Sequence, residues 1–130
     1  MDQIDQQILN SLKSNSRLTN KEIGEAVHLT GQAVGNRIIK LQEEGLISAF
    51  SVNIHYPNQQ FIMVYMDSNQ FKTFEAFINS CPEIDEFYKV AGRACYLLKS
   101  HFSDDELKSF LEELTNWGRY NIESILKRLK

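Results

Sequence analysis

Two helix-start signals stand close together near the beginning of the chain, and their spacing restricts the fold more than any other feature. Thr19 and Glu22 are placed to form a capping box, in which each side chain accepts a hydrogen bond from the other residue's backbone N–H. Thr30 is the next N-cap, and it comes only three residues after Val27, the last apolar position of the intervening helix. A turn this short does not allow antiparallel packing, so the pattern predicts a helix-turn-helix.

Apolar spacing predicts one helix before this pair and sets the length of the last one. Asp2 is placed to cap the first helix, and Gly45 supplies a C-terminal stop for the third. The inward positions are Ile4, Ile8, Leu9 and Leu12 in the first helix, Ile23, Ala26 and Val27 in the second, and Val34, Ile38 and Leu41 in the third. An extended segment, Ile47 to Ile54, follows. Residues 1–54 are therefore predicted to form a winged helix-turn-helix domain.

The second half of the chain has a different period. Residues 55–60 have no apolar periodicity and include Pro57, so they are predicted to be a linker. Residues 61–130 then alternate between strand and helix patterns. The predicted strands are Phe61 to Met66, Ile84 to Val90, Cys95 to Lys99 and Tyr120 to Leu126, and the helices carry Phe71 to Ile78 and Leu107 to Leu114, with Gly118 as the second helix's stop. This β-α-β-β-α-β order predicts a ferredoxin-like domain, and the whole chain is an α+β protein.

Composition excludes several classes of protein. The chain has 130 residues, 42% of them hydrophobic, and a formal net charge of -3, which is typical of folded domains. It contains no apolar run long enough for a membrane span and no secretory signal, so we expect a cytoplasmic protein. Cys81, Cys95 and the three histidines have no metal-binding spacing, and we expect free thiols and no metal.

One face of the third helix has the chemistry of a DNA-reading surface. On a helical wheel, polar side chains lie opposite its apolar stripe, where a helix-turn-helix protein faces the major groove. Glutamine and asparagine can pair with adenine, lysine can reach guanine or phosphate, isoleucine can pack on a thymine methyl, and small residues allow close approach. The candidate DNA-binding residues are Thr30, Gln32, Ala33, Gly35, Asn36, Arg37, Ile39 and Lys40, and Gly31 adds to the small ones. A solvated face, or a subunit contact at Ile39, is the alternative.

Charge sets limits on how this surface can bind. Arg37 lies at the margin of the core face, where it can contact a phosphate or pair with Glu43 or Glu44 in its own chain. The first fifty residues carry five basic and six acidic side chains, so a monomer is expected to bind modestly. We therefore expect a homodimer that presents two third helices about 34 Å apart to a pseudo-palindromic operator in double-stranded DNA.

Several segments together resemble the Lrp/AsnC, or feast/famine, family of transcriptional regulators. In the first half these are Asp5-x-x-Ile8-Leu9, the run from Asn15 to Thr19, and the stretch from Leu29 to Ile47 with its glycine at Gly45. In the second half they are Val90-Ala91-Gly92 and Tyr96-Leu97-Leu98-Lys99. The resemblance covers essentially the whole chain. It implies a prokaryotic regulator that dimerises through its second, RAM/ACT-like domain and often assembles further into tetramers or octamers. It also implies that the regulator responds to an amino acid.

The resemblance also implies an effector-binding loop between the second and third strands. In this chain the loop consists of Ala91, Gly92, Arg93, Ala94 and Cys95. The family commonly has an acidic residue, suited to an ammonium group, where this chain has Cys95. Arg93 can instead hold a carboxylate in a bidentate manner, or it is simply a surface arginine on a turn.

Two other functions fit the same two-domain plan. Proteins similar to this family act as sirohaem decarboxylases, but the three histidines here do not converge in the sequence. A sensing or assembly module without DNA binding is the third possibility, and it agrees with the chain's acidity. Because no nucleophile, phosphate-binding loop or dinucleotide fingerprint is present, we expect no catalytic residues, no cofactor and no enzymatic activity.

Overall fold

The computed structural model describes residues 1–130, and these divide into two compact units. The first, which we call the helical unit, spans Met1–Ile54, and the second, which we call the sheet unit, spans His55–Lys130. None of the five helices has the length and apolar character that a membrane span requires.

Three helices form the helical unit, α1 (Gln3–Ser14), α2 (Asn20–Val27) and α3 (Gly31–Glu43). All three begin at the predicted N-caps, where the side chains of Asp2, Thr19 and Thr30 each accept a hydrogen bond from the backbone N–H three residues later. Gly45 follows the end of α3 with a φ of 79°. The predicted apolar stripes meet in one core whose buried members are Ile8, Ile23, Val27, Val34 and Ile38, but Ala26, which was predicted to face inward, is exposed.

The turn between α2 and α3 is as short as the sequence predicts, and Gly24 makes it possible. His28 ends α2 in the left-handed conformation, and the N–H of Leu29 donates to the carbonyl oxygen of Gly24 at 2.9 Å. A Cβ on Gly24 would overlap the carbonyl oxygen of Leu29. The missing side chain therefore lets the chain fold back onto the helix it has just left. The helix-turn-helix is confirmed.

The extended segment predicted over Ile47 to Ile54 is not a strand in the structure. Residues 48–56 belong to no helix or strand, and the helical unit offers no second strand with which they can pair. A strand needs such a partner for its backbone N–H and C=O groups. As a consequence Phe50, Val52 and Ile54 are at least half exposed.

The sheet unit has the predicted β-α-β-β-α-β order. Its elements are β1 (Gln60–Met66), α4 (Phe71–Asn79), β2 (Ile84–Lys89), β3 (Tyr96–Ser100), α5 (Asp104–Leu114) and β4 (Gly118–Ser124). The strands form one antiparallel sheet in the order β2-β3-β1-β4, in which Ile62 of β1 lies opposite Leu98 of β3 and Ile122 of β4. This confirms the ferredoxin-like, α+β prediction.

Both helices of the sheet unit cover the same face of the sheet. Alternate residues of the central strands, such as Ile62, Val64 and Leu98, are fully buried against Phe74 of α4 and Leu114 of α5. The residues between them point to the other face, on which the unit places no helix. That outer face carries Phe61, Met63, Tyr65, Tyr88 and Leu97 at its apolar positions.

Gln60 was expected in the linker but is the first residue of β1. Its side chain is buried: Nε2 donates to the carbonyl oxygen of Phe102 at 2.9 Å, and Oε1 accepts from the Ser100 hydroxyl at 2.7 Å and the Phe102 N–H at 3.1 Å. The strand therefore begins one residue earlier than predicted. A polar side chain can start a buried strand here because every donor and acceptor it brings finds a partner.

Gly118 was expected to stop α5, but the helix ends earlier, at Leu114, and Gly118 is the first residue of β4. It is buried opposite Met66, and a Cβ there would overlap the carbonyl oxygen of Tyr65. The glycine is thus needed for close strand pairing. The other strand ends differ from the predicted ones by up to two residues, leaving Val90 and Cys95 just outside β2 and β3.

Candidate nucleic-acid interface and effector-binding region

The side of α3 that faces away from the core is exposed along its length. Val34, Ile38 and Leu41 are buried, while polar side chains on the opposite side reach solvent. Lys40 is 73% exposed and has only a long contact of 3.9 Å with Glu44. The predicted DNA-facing residues that are exposed are Thr30, Gln32, Asn36, Ile39 and Lys40.

The two amides on this surface are free to bind a partner. Neither Gln32 nor Asn36 makes a side-chain hydrogen bond within the chain, and the two residues are one helical turn apart. Each amide offers donors and an acceptor that can pair with an adenine edge. The hydroxyl oxygen of Thr30 accepts the N–H of Ala33 at 3.1 Å, which leaves the hydroxyl proton available to a phosphate oxygen.

The glycines of α3 have a different role from the predicted one. Gly35 was expected to bring the backbone close to DNA, but it faces α2, where a Cβ would lie 2.9 Å from Nδ2 of Asn20. Gly31 likewise faces α2, with a Cβ position 3.3 Å from the backbone nitrogen of Lys21. Ala33 is half-buried. The small residues therefore let α2 and α3 pack closely, which is why they do not form part of the exposed row.

Arg37 pairs with α1 and not with the end of its own helix. Its Nη1 donates to Oδ2 of Asp2 at 2.7 Å and to Oδ1 of Asp5 at 3.1 Å. Of the two alternatives that the sequence leaves open for Arg37, the intrachain pair is not with Glu43 or Glu44 but with the two carboxylates at the start of α1. The bond from Arg37, followed by the backbone N–H of Asp5, holds the pKa of the Asp2 carboxyl below its usual value.

The predicted effector loop is a tight connection between β2 and β3. The N–H of Val90 donates to the carbonyl oxygen of Cys95 at 3.1 Å, and the N–H of Cys95 donates to that of Val64 at 2.9 Å. Ala91, Gly92 and Arg93 are exposed, whereas Ala94 and Cys95 are half-buried and Cys95 packs against the core. The Arg93 side chain has no hydrogen-bond or ionic partner within the chain, so it is free to contact a ligand.

Tyr96, directly after this loop, is fixed in the core of the sheet unit. Its ring packs against Phe74 and Phe87, and its hydroxyl donates to the Glu75 carboxylate at 2.5 Å. Burial, followed by the bond to Glu75, raises the pKa of Tyr96 far above its usual value, so the hydroxyl stays protonated. The loop therefore rests on a rigid base.

An open cleft of about 620 Å³ lies at the same end of the sheet and was not predicted from the sequence. It carries an acidic side chain, Asp67, and a basic one, Arg119, and neither forms an ion pair within the chain. The guanidinium of Arg119 lies over the ring of Tyr65, 5.8 Å from its centroid. The full lining is Tyr65, Asp67, Thr115, Gly118, Arg119, Tyr120 and Asn121. Only the pairing of β1 with β4 brings these distant residues together.

The histidines are held in separate local environments. His28 ends α2, and His55 is exposed. Nδ1 of His101 lies 2.8 Å from Oδ2 of Asp85, and the His101 ring stacks on Tyr56 with 3.7 Å between the ring centroids. No group of three or more histidine, cysteine or carboxylate side chains has a metal-binding arrangement.

Comparison with known proteins matches both units. Residues 1–42 match the AsnC-type helix-turn-helix domain, and residues 59–130 match the Lrp/AsnC ligand binding domain. The chain is 38% identical to the transcriptional regulator LrpB of Bacillus subtilis over 136 aligned positions, which cover all of this chain and 91% of that protein.

Solved structures agree with these matches. The structure of B. subtilis LrpC superposes with a TM-score of 0.90 at 25% identity, covering all of this chain and 97% of that one. The regulator NMB0573 of Neisseria meningitidis, solved as a complex with L-Met, shares the fold with a TM-score of 0.86 at 24% identity, covering all of this chain and 92% of that one. The chain belongs to the Lrp/AsnC family of helix-turn-helix transcriptional regulators.

Proposed function

We propose that this chain regulates transcription by binding a pseudo-palindromic promoter sequence as a homodimer, with α3 as the recognition helix. The observation that carries the proposal is the row of Gln32, Asn36 and Lys40, which is exposed on a helix whose other face is locked in the core. A rigid helix with unpaired amides and a cation has what direct reading of base edges requires. Nothing in the proposal needs catalysis or a cofactor, and a prokaryotic cytoplasm is the compartment that it implies.

Replacing Gln32, Asn36 and Lys40 together with alanine is expected to abolish specific binding. The test is fluorescence anisotropy with DNA from upstream of the chain's own gene and with random DNA, across a salt series. The unchanged protein should prefer the upstream DNA by at least about 10³, because specific binding typically exceeds non-specific binding by that margin. The variant should bind both DNAs equally and weakly.

The chain offers a matched control for this variant. Gln6, Asn10 and Lys13 are exposed on α1 and have the same three residue types in the same order. Their joint replacement with alanine should leave the preference for upstream DNA unchanged. Equal loss of preference in both variants, or no preference in the unchanged protein, would overturn the assignment of α3 and favour an assembly module without DNA binding.

The outer face of the sheet supports the homodimer. Its central strands place Met63 opposite Leu97, and Phe61 and Tyr88 are 40% and 49% exposed. The Lys99–Glu86 ion pair lies beside this apolar strip. An apolar centre with a charged rim is typical of a protein–protein interface. A second copy of the chain is the occupant that we propose, and tetramers or octamers remain a further prediction.

We also assign an amino acid effector to the end of the sheet where β1 terminates. The loop Ala91–Cys95 is hydrogen-bonded to Val64 on one side of β1, and the cleft with Asp67 and Arg119 lies on the other side, next to β4. Asp67 suits an ammonium group and Arg119 a carboxylate, which together fit a free amino acid. The Asp67 carboxylate would supply the acidic group that the family commonly has at the position of Cys95.

Arg119→Gln is expected to abolish binding of the free amino acid, because it removes the carboxylate partner. L-Met is a suitable probe in equilibrium dialysis, since the N. meningitidis neighbour was solved with it. Arg93→Gln removes the exposed arginine of the loop and tests whether the carboxylate binds there instead. Loss of binding in Arg93→Gln alone would move the site to the loop, and absence of binding in the unchanged protein would count against L-Met as the effector.

A further inference from the structure

Arg37 is joined to the start of α1 by a closed network of hydrogen bonds. The N–H of Asp5 donates to Oδ1 of Asp2 at 2.8 Å, and the N–H of Asp2 donates to Oδ2 of Asp5 at 3.2 Å, which forms a capping box. The two remaining carboxylate oxygens accept from Nη1 of Arg37 at 2.7 and 3.1 Å. One side chain of α3 is therefore bound to both members of the cap that begins α1.

We propose that Arg37 is a positioning residue, which holds the recognition helix in its orientation relative to α1, and that it does not contact a DNA phosphate. This inference rests on the DNA-binding function proposed above. Arg37 projects from the same helix as Gln32 and Asn36, and its two anchors belong to another helix of the same unit. Losing these anchors changes how α3 sits against α1, and the two amides move with α3.

Arg37 is much less exposed than Lys40, which lies on the same helix. The Arg37 side chain is 32% exposed and that of Lys40 is 73% exposed. The Asp5 side chain is only 15% exposed, so its carboxylate is poorly solvated without Arg37. Turning Arg37 towards a phosphate would leave this carboxylate with only the N–H of Asp2 and no charged partner, and the desolvation penalty of the charge opposes the movement.

Local charge leads to the same conclusion. Two carboxylates face one guanidinium, so the network as a whole keeps a net negative charge. A phosphate that approached Arg37 would also approach Asp2, whose side chain is 55% exposed. Repulsion from that carboxylate would offset the attraction of the guanidinium. The exposed cation of the recognition helix that remains for a phosphate or guanine is Lys40.

Salt dependence distinguishes a positioning residue from a phosphate contact. A plot of log affinity against log salt concentration has a negative slope, and each phosphate contact that is lost makes this slope less steep by about 0.9. For Arg37→Met we expect an unchanged slope and a drop of about tenfold in the ratio of upstream to random DNA affinity, because one good base contact contributes about five- to 150-fold discrimination. A less steep slope with an unchanged ratio of upstream to random DNA affinity would overturn the proposal. Lys40→Gln is the positive control for the slope.

A second variant tests the same idea without touching Arg37. Asp2→Asn/Asp5→Asn keeps residues that can cap a helix but removes both charged anchors. We expect the same loss in the affinity ratio as for Arg37→Met. Glu25→Gln/Glu43→Gln removes two exposed charges from the same unit and is expected to strengthen binding to both DNAs equally. If the two double variants behave alike, the anchors have no positioning role.

Thermal unfolding separates a failure of this inference from a failure of the proposed function. If the unchanged protein shows no preference for upstream DNA, the proposed function fails, and the positioning role fails with it. The shared ion pair is measured independently, because combining Arg37→Met with Asp2→Asn/Asp5→Asn should lower the melting temperature no more than either change alone. Additive losses would show that Arg37 and the two aspartates do not act together.

Discussion

Gly24→Ala is expected to destabilise the helical unit by about 3 kcal/mol and to abolish DNA binding. The new Cβ would overlap the carbonyl oxygen of Leu29 and would lie 3.3 Å from backbone atoms of Leu29 and Thr30. Because these are backbone atoms, the turn itself must open, and overpacking of this kind costs up to about 3 kcal/mol. A unit of this size is stabilised by only about 3 to 8 kcal/mol, so a large part of its stability would be lost.

Two spectroscopic signals report this effect separately for the two units. The single tryptophan, Trp117, packs on Phe77 in the sheet unit, so its fluorescence follows that unit alone. Circular dichroism follows the helices of both. In Gly24→Ala we expect an early loss of helical signal on heating and an unchanged tryptophan transition.

Gly35→Ala is the matched control for Gly24→Ala. It introduces the same methyl group in the neighbouring helix, but the Cβ meets only the tip of the Asn20 side chain, 2.9 Å away, which can move aside. Its stability should change by less than about 1 kcal/mol, since alanine also favours a helix over glycine. Equal unfolding of both variants would contradict the role that we give to the turn at Gly24.

The helices and their caps were predictable because their signals are local. Thr19 and Glu22 are three residues apart, and the capping box they form needs no information from elsewhere in the chain. The order of strands and helices in the sheet unit was likewise readable from apolar period. Helices and caps can be predicted from the sequence because the residues that contact one another in them are also close together in the sequence.

The residues that were mispredicted depend on partners far away in the sequence. Gln60 looks like a linker residue until Ser100 and Phe102 are placed beside it. Gly118 looks like a helix stop until β4 pairs with β1. Polar or glycine residues suggest a loop when viewed alone, whereas a sheet can use them once a distant strand satisfies or requires them.

The exposed face of α3 was predicted in outline but not in its details. The exposed row with Gln32 and Asn36 follows from helical period. The partners of Arg37 do not, because Asp2 and Asp5 lie on another helix, more than thirty residues earlier. The cleft with Asp67 and Arg119 was missed for the same reason, since only the strand pairing brings its two charges together.

Met63→Arg/Leu97→Arg is expected to convert the proposed homodimer to a monomer and to weaken the proposed binding to upstream DNA about 100-fold. The two residues lie opposite each other on the central strands of the outer face, so the arginines would bring like charges to the centre of the proposed interface. A dimer engages two half-sites at once, and linking two binding events commonly raises affinity by about 10² to 10⁴. Sedimentation equilibrium gives the mass, and anisotropy gives the affinity for upstream DNA.

Only dimerisation and the affinity for upstream DNA should change in this variant. Because both side chains point away from the helices, the core of each sheet unit stays intact. The unfolding transition followed by Trp117 fluorescence should therefore match that of the unchanged protein. Ala76→Arg/Ser109→Arg adds the same charge to exposed positions of α4 and α5, and it should remain dimeric. If the outer-face variant is still a dimer with full affinity, subunits meet through another surface. If it is monomeric but binds DNA as before, each protomer reads its half-site alone, and dimerisation is not what offsets the chain's net negative charge in DNA binding.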